Sequence, residues 1–291
     1  MRALTAALAA TLVLAACGSS GSTPDTTIPA VTHRIVSLSP TATEMLYAVG
    51  AGDQVVAVDS LSTYPAEVAD KVTKMSAYEP SVEAIIGYTP DVVLISNDMN
   101  KITEQLQSIS SQKITVWTGA AAATLDDVYK QITELGALTG HDKDAATLIE
   151  SMKSRIAKAT ENVSAPMSAQ SYFYELDNNT LYSVTSNTFV GALLKPFGLT
   201  NIADGVEVGN DYPQLNAEAI VKANPSVVFL ADTKCCATNT AEVAKRPGWA
   251  GIDAVKNGHV VELDDDVASR WGPRVVDLVE QFAAAITAAN K

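Results

Sequence analysis

Two tyrosines and two glutamates recur in this chain at matched distances. Tyr78 stands in AYEPSVE, five residues before Glu83, and Tyr212 stands in DYPQLNAE, six residues before Glu218. Each tyrosine has a proline close behind it, and a phenol ring offers flat apolar area with one hydrogen-bonding tip. That suits a ligand wall better than bond-breaking chemistry. A carboxylate in the first turn of a helix is favoured by the macrodipole. Two such carboxylates can also receive arginines from a partner through charge-assisted hydrogen bonds. The segments around the glutamates match as well. Positions 82–95 and 217–230 agree at six of fourteen places, namely Glu, Ala, Ile, Pro, Val and Val.

Other chemistries find little support. The only histidines, His33, His141 and His259, sit at separate element edges. A zinc or manganese receptor would need clustered His and carboxylate ligands. The G-x-S-x-G elbow of a secreted α/β hydrolase is missing. The Gly-Ala-Gly at 50–52 follows a helix and lacks a third glycine, so it fails as a dinucleotide loop. Asp264-Asp265-Asp266 reads as a solvated turn or a cation site. The net charge of −13 argues against nucleic acid and against electrostatic docking on anionic lipid. It leaves room for an anionic small ligand. The chain calls for no cofactor.

The elements that must carry these residues alternate. RIVSLS (34–39) and QVVAVD (54–59) read as strands around a helix that opens at Ser39-Pro40, with Thr41-x-x-Glu44 as an alternative capping box, and stops at Gly50. VEAIIG is a short helix that Pro90 prevents from continuing, and DVVLIS is a strand apolar on both faces, as in a covered parallel sheet. A helix over 101–110, the strand KITVWT and a helix over 124–138 follow. Residues 141–163 then run without Gly or Pro at helical spacing, one long helix that Ser164-Ala165-Pro166 ends. The second half restarts with the strand SYFYEL and helix 188–198. The repeated corner at 215–230, the strand GHVVEL and helix 274–290 complete it. The fold class is α/β, with two lobes built on mostly parallel sheets. The predicted organisation is a signal peptide at 1–16, a lipidated tether at 17–32, a lobe at 33–140, a linking helix at 141–165 and a lobe at 166–291.

Leu14-Ala15-Ala16-Cys17 resembles a bacterial lipobox, and the polar stretch after it suits a flexible spacer. Cys235 and Cys236 are adjacent. Export favours oxidation and neighbour geometry opposes it, so a disulfide and two thiols both remain open.

RIVSLSPTATEMLYAVGAGDQVVAVD, the Tyr64-Pro65 that follows, both corner repeats and the closing SRWGPRVVDLVEQF resemble the extracytoplasmic solute-binding proteins of ABC importers. The class is the one serving iron–siderophores, haem and cobalamin, and its cobalamin-binding branch is the nearest pattern. The resemblance spans most of residues 33–290. It implies the class III periplasmic binding protein fold, two lobes bridged by one rigid helix with ligand between them. It also implies that Glu83 and Glu218 face permease arginines, and that Tyr64, Tyr78, Tyr212 and Arg270 contact ligand. Tyr174 and Asp266 carry over by a looser alignment. Ser39 and Thr41 stand where hydroxyls or free N–H groups would reach the cleft, while Trp249 and Trp271 read as core or rim. The implied partners are an ABC permease with its ATPase. The implied protein is a monomer without enzymatic activity, extracytoplasmic and held at the membrane by lipidated Cys17 alone. Where relatives carry Trp, this chain has Tyr78 and Tyr212, trading stacking area for a hydrogen bond. Catecholate siderophores want several cations, and Arg270 is the one good candidate. Hydroxamates and cobalamin fit the tyrosines better.

Overall fold

Ser39 decides how the chain enters its first helix. A computed structural model describes residues 32–109, 113–161, 163 and 170–291. In it β1 (Ile35–Leu38) ends one residue before α1 (Pro40–Ala48), and the Ser39 hydroxyl accepts the Ala42 N–H at 3.3 Å. Pro40 takes the first helical position, where a missing N–H costs nothing. The alternative Thr41-x-x-Glu44 box does not form. Glu44 is buried and serves another purpose, described below.

The first lobe continues through β2 (Val55–Val58), α2 (Val82–Ile86), β3 (Val92–Ile95), α3 (Ile102–Ile109), β4 (Thr115–Thr118) and α4 (Leu125–Thr139). The long helix is α5 (Asp142–Glu161). Its expected end at 164–166 lies outside the described residues. The second lobe holds β5 (Ser171–Glu175), α6 (Phe189–Leu194), β6 (Thr200–Asn201), α7 (Ala217–Ala223), β7 (Val227–Leu230), α8 (Thr240–Lys245), α9 (Asp253–Lys256), β8 (Val260–Glu262), α10 (Asp265–Ala268) and α11 (Val275–Ala289). Sequence reading did not find β6 or α8 to α10, which are too short to show a period.

Each lobe is one parallel sheet, ordered β2-β1-β3-β4 in the first and β6-β5-β7-β8 in the second. The order is the same, so the duplicated corners α2–β3 and α7–β7 occupy equivalent places. The strand period of two explains their apolar runs. Val36, Leu38, Val93 and Ile95 face an outer core, and Ile35, Val92 and Leu94 face a central one. In the second lobe Phe173, Val228 and Leu230 face outward, and Tyr172, Tyr174, Val227 and Phe229 face the centre.

The central core belongs to both lobes. It includes Met45 of α1, Ile132 of α4, Met152 of α5, and Val279 and Phe282 of α11. The α5 helix packs on both α4 and α11. Gly136 permits the α4 contact, since a Cβ there would fall 2.5 Å from the Ala145 Cβ. Gly140, at φ +78°, turns the chain from α4 into α5 as a left-handed cap. Arg155 of α5 donates to Asp277 at 2.8 Å and to Glu280 at 2.7 and 2.9 Å. All three are half exposed, so the cluster fixes helix register more than it adds stability. The sequence reading made α5 the sole bridge; in the structure α11 reinforces it.

Candidate functional site

In a parallel sheet, ligands bind at the carboxyl ends of the strands. The loops there expose an unusual set of side chains. The β2–α2 loop carries Leu61, Tyr64 and Tyr78, the β5–α6 loop Tyr182, and the β6–α7 loop Val206, Val208 and Tyr212. Tyr78 and Tyr212 are 64% and 55% exposed. Ordered backbone holds them out. Ser76 Oγ accepts the Tyr78 and Glu79 N–H groups, both at 3.1 Å, and Asn210 Oδ1 accepts that of Tyr212 at 2.9 Å. Residues 181–185 run antiparallel beside 211–215, with Ser183 N–H on Pro213 O and Thr185 N–H on Asp211 O. Tyr182 and Tyr212 therefore lie on one platform. Tyr64 precedes a cis Pro65, and the Arg274 guanidinium lies 4.0 Å from its ring centroid.

The two lobes meet beside Tyr64 through ions. Glu44 of α1 accepts Arg270 Nη1 at 3.0 Å and Arg274 Nε at 2.9 Å, both from the segment between α10 and α11. Arg270 also donates to Asp266 at 2.7 Å and to the Leu61 carbonyl at 3.2 Å. Lys234 closes the chain on Asp264 and Asp266, at 2.7 and 2.9 Å. The Asp264 carboxylate beside Lys234 raises the lysine's pKa. Partial burial opposes this and Asp266 adds to it. Trp271, half-buried, donates to Gln131 of α4 at 3.1 Å. The Leu61–Arg270 contact joins the loops beyond β2 and β8.

Buried polar groups lie just beneath. Asp59, at the end of β2, is fully buried, and burial raises its pKa despite the Ser62 hydroxyl that donates to it. In the second lobe Glu175 and Asp232 are both fully buried. Arg246 grips Glu175 with two bonds of 2.6 Å, and Thr238 Oγ1 donates to Asp232 at 2.8 Å. Burial raises both pKa values, and Arg246 opposes the rise.

A cavity of about 800 Å³ lies on the other side of Tyr64, between α1, the turn at 66–71, α5 and the start of α11. Glu44 and Arg274 line it, but Tyr78 and Tyr212 do not. Tyr64 lines it as well, so the cavity adjoins one of the exposed tyrosines and is remote in its lining from the others.

The expected site residues fare unequally. Tyr64, Tyr78 and Tyr212 are exposed on loops that follow β2 and β6. Tyr174 is corrected. The period of two puts it on the central face of β5, fully buried against Phe229 and Phe282, with its hydroxyl 3.4 Å from the Ala268 carbonyl. Burial also pushes its pKa far above the ordinary phenol range. Ser39 and Thr41 are buried too, with Ser39 spent on its cap. Arg270 and Asp266 come together, but in an ion pair with each other. Trp249 is core, edge-on to Phe173. Cys235 and Cys236 are free thiols. His33 pairs with Asp91 at 3.0 Å and His141 with Asp144 at 3.1 Å. Among the described residues no His, Cys, Asp and Glu cluster is placed to hold a metal, and no helix is long and apolar enough to cross a membrane. Cys17 lies outside the described residues.

Glu83 and Glu218 occupy the first turns of α2 and α7, capped by Ser81 and Asn216. Both are exposed, and neither side chain has a hydrogen-bond or ion-pair partner among the described residues. Sequence reading missed the exposed Leu61 and Tyr182 and the Glu44–Arg274 contact. The available signals were a carboxylate inside an otherwise buried helix and two arginines four residues apart.

Comparison with known proteins agrees with this architecture. The family described as Periplasmic binding protein matches residues 35–267. The Bacillus subtilis protein named Uncharacterized ABC transporter substrate-binding lipoprotein YvrC is 35% identical over 269 residues, 91% of this chain and 83% of that protein. A Halobacterium salinarum protein named Cobalamin-binding protein is 32% identical over 281 residues, 93% of this chain and 75% of that protein. The crystal structure of the periplasmic vitamin B12 binding protein BtuF of Vibrio cholerae has a TM-score of 0.71 at 25% identity, covering 89% of this chain and 99% of that one. The twin parallel sheets and the long helix between them are thus those of a member of the periplasmic binding protein family, ABC transporter substrate binders of the class III fold and not enzymes.

Proposed function

We propose that the chain captures a cobalamin-type corrinoid between the Tyr64–Tyr78 side and the Tyr182–Tyr212 side of a mouth that these loops form, and delivers it to an ABC permease driven by its ATPase. The carrying observation is the exposure of four tyrosines and Leu61 on loops at the carboxyl ends of both sheets. A large, largely uncharged macrocycle wants flat aromatic walls and a few hydrogen bonds, and tyrosine supplies both. Charge supports the same choice. Arg274 lies over the Tyr64 ring and Arg270 reaches the Leu61 carbonyl, and Glu44 and Asp266 already neutralise them. A strongly anionic catecholate would have to compete for them. A relative named for cobalamin, aligned over 93% of this chain, points the same way. Arg270 and Asp266 act here by shaping the mouth.

Truncating both main walls tests the reading. Tyr78→Ala with Tyr212→Ala is expected to weaken cobalamin binding by about 2–3 kcal/mol, roughly 30- to 150-fold, with the melting temperature nearly unchanged because both rings are exposed. Calorimetric titration measures the first and a thermal scan the second. Wild-type affinity in the double variant would remove the mouth as the binding site.

Cys17 is the proposed lipid anchor, supported by the lipobox and by the relative named a lipoprotein. No other membrane attachment is proposed, and the working unit is a monomer. Cys17→Ala should shift the protein from the membrane to the soluble fraction on cell fractionation. Continued membrane retention would contradict the anchor.

A further inference from the structure

Glu44 is a charged residue with 2% of its side chain exposed, placed where the two lobes touch. Both its oxygens are taken by guanidiniums from the far end of the chain. Arg270 Nη1 is 3.0 Å from Oε1, and Arg274 Nε is 2.9 Å from Oε2. A buried carboxylate is tolerable only while paired, and losing its partners is strongly unfavourable. Separating α1 from the Arg270–Arg274 segment would break these ion pairs together. The same guanidiniums reach the mouth. Arg270 Nη2 holds the Leu61 carbonyl, and Arg274 covers the Tyr64 ring. Trp271, between the two arginines, is tied to Gln131 of α4, and Gln131 donates in turn to Ala120 O at 2.7 Å. One short segment of the second lobe therefore grips three parts of the first: α1, the loop beyond β2 and α4, which in turn holds the loop beyond β4.

We propose that Glu44 is a positioning residue. Through Arg270 and Arg274 it locks the lobes at binding distance and sets the Leu61–Tyr64 loop before ligand arrives. This rests on the reading of the mouth as the ligand site. Glu44 itself touches no ligand. Its effect on affinity is pre-organisation, because a site held in its bound arrangement loses less freedom on binding. The lock also explains a conformational economy. With Glu44 paired, the lobe arrangement is fixed before ligand arrives, and ligand need select only local side-chain positions.

The experiment uses the full chain without ligand. Hydrogen exchange is followed at residues 59–65 and 270–275, and small-angle X-ray scattering reports the lobe arrangement. Glu44→Gln keeps the shape of the side chain and removes its charge. It should raise exchange in both segments by about tenfold or more and enlarge the radius of gyration. It should also weaken cobalamin binding by about tenfold or more, while Glu44→Asp restores part of each. Gly272→Ala is the second variant. A Cβ there would lie 3.1 Å from Glu44 Oε2, disturbing the carboxylate while leaving every charge in place. It should move exchange in the same segments in the same direction, by less. Should Glu44→Gln fail to fold, Gly272→Ala decides. Wild-type exchange in both segments overturns the lock. If wild-type protein does not bind cobalamin, the ligand reading fails, and the ligand-free exchange still decides the role of Glu44.

Discussion

Exchanging Glu83 and Glu218 together for alanine is expected to abolish uptake in cells while leaving the affinity of the purified protein for its ligand within about twofold of wild type. Both carboxylates are exposed and unpartnered among the described residues, so folding should hardly register their loss. Each would form a charge-assisted bond to a permease arginine, worth about 1.5–3 kcal/mol. Losing both removes about 3–6 kcal/mol of docking free energy, roughly 150- to 20,000-fold. They sit at equivalent corners of separate lobes, so each single variant should show about half the loss in free energy. Reversing the charge of the matching permease arginines together with Glu83→Arg and Glu218→Arg should restore part of the transport. Transport assays and ligand titration on the same variants separate the outcomes. A double variant that binds ligand poorly would place the glutamates in the wrong role.

Arg246→Gln is expected to cost about 3–5 kcal/mol of stability, because it leaves a buried carboxylate without its cation. Glu175 is fully buried, and only 18% of the Arg246 side chain is exposed. Asp232 stands close by, also buried, with Oδ1 lacking any partner. Trp249 loses its cationic neighbour as well, since the guanidinium carbon now lies 4.6 Å from its ring centroid. The pH dependence has a definite sign. Burial raises both carboxyl pKa values above their unfolded values, so the folded state holds protons longer than the unfolded chain. The stability this contributes is fully present below the ordinary carboxylate range and is lost as pH rises through the folded values. Without Arg246 those values rise further. The deficit of the variant should therefore be smallest near pH 4 and grow toward neutrality. Urea unfolding of both proteins across that range reads the difference. A deficit under about 1 kcal/mol, or one constant with pH, would show that Glu175 is neutral in the native wild-type protein.

Much of the architecture was legible because it is local. Apolar runs such as DVVLIS imply strands covered on both faces, and Pro90 and Pro225 mark where each corner helix must yield to its strand. The repeat around Glu83 and Glu218 carried the duplication, and the shared strand order accounts for it. The failures were of another kind. SYFYEL shows that Tyr172 and Tyr174 share a face, but not that α11 covers that face. The helix that buries Tyr174 lies a hundred residues further on. Glu44 fitted a local capping pattern equally well, and its true partners are 226 and 230 residues away in sequence. Helices as short as α9 and α10, four residues each, leave no periodic signal. The mouth was half visible. Prolines close behind them single out Tyr78 and Tyr212, and the family resemblance adds Tyr64. Tyr182 has no proline beside it, and it joins the set only through the antiparallel pairing of 181–185 with 211–215.

The most direct test of the account is a calorimetric titration of the purified wild-type chain with cobalamin, with haem and a ferric hydroxamate run alongside. Cobalamin should bind at one site per chain with a dissociation constant in the micromolar range or tighter, about −8 kcal/mol or better, and more tightly than the other two. No heat from any of the three, with the protein shown to be folded, would contradict a receptor for this class of ligand. Tighter binding of haem or the hydroxamate would keep the receptor and replace its cargo.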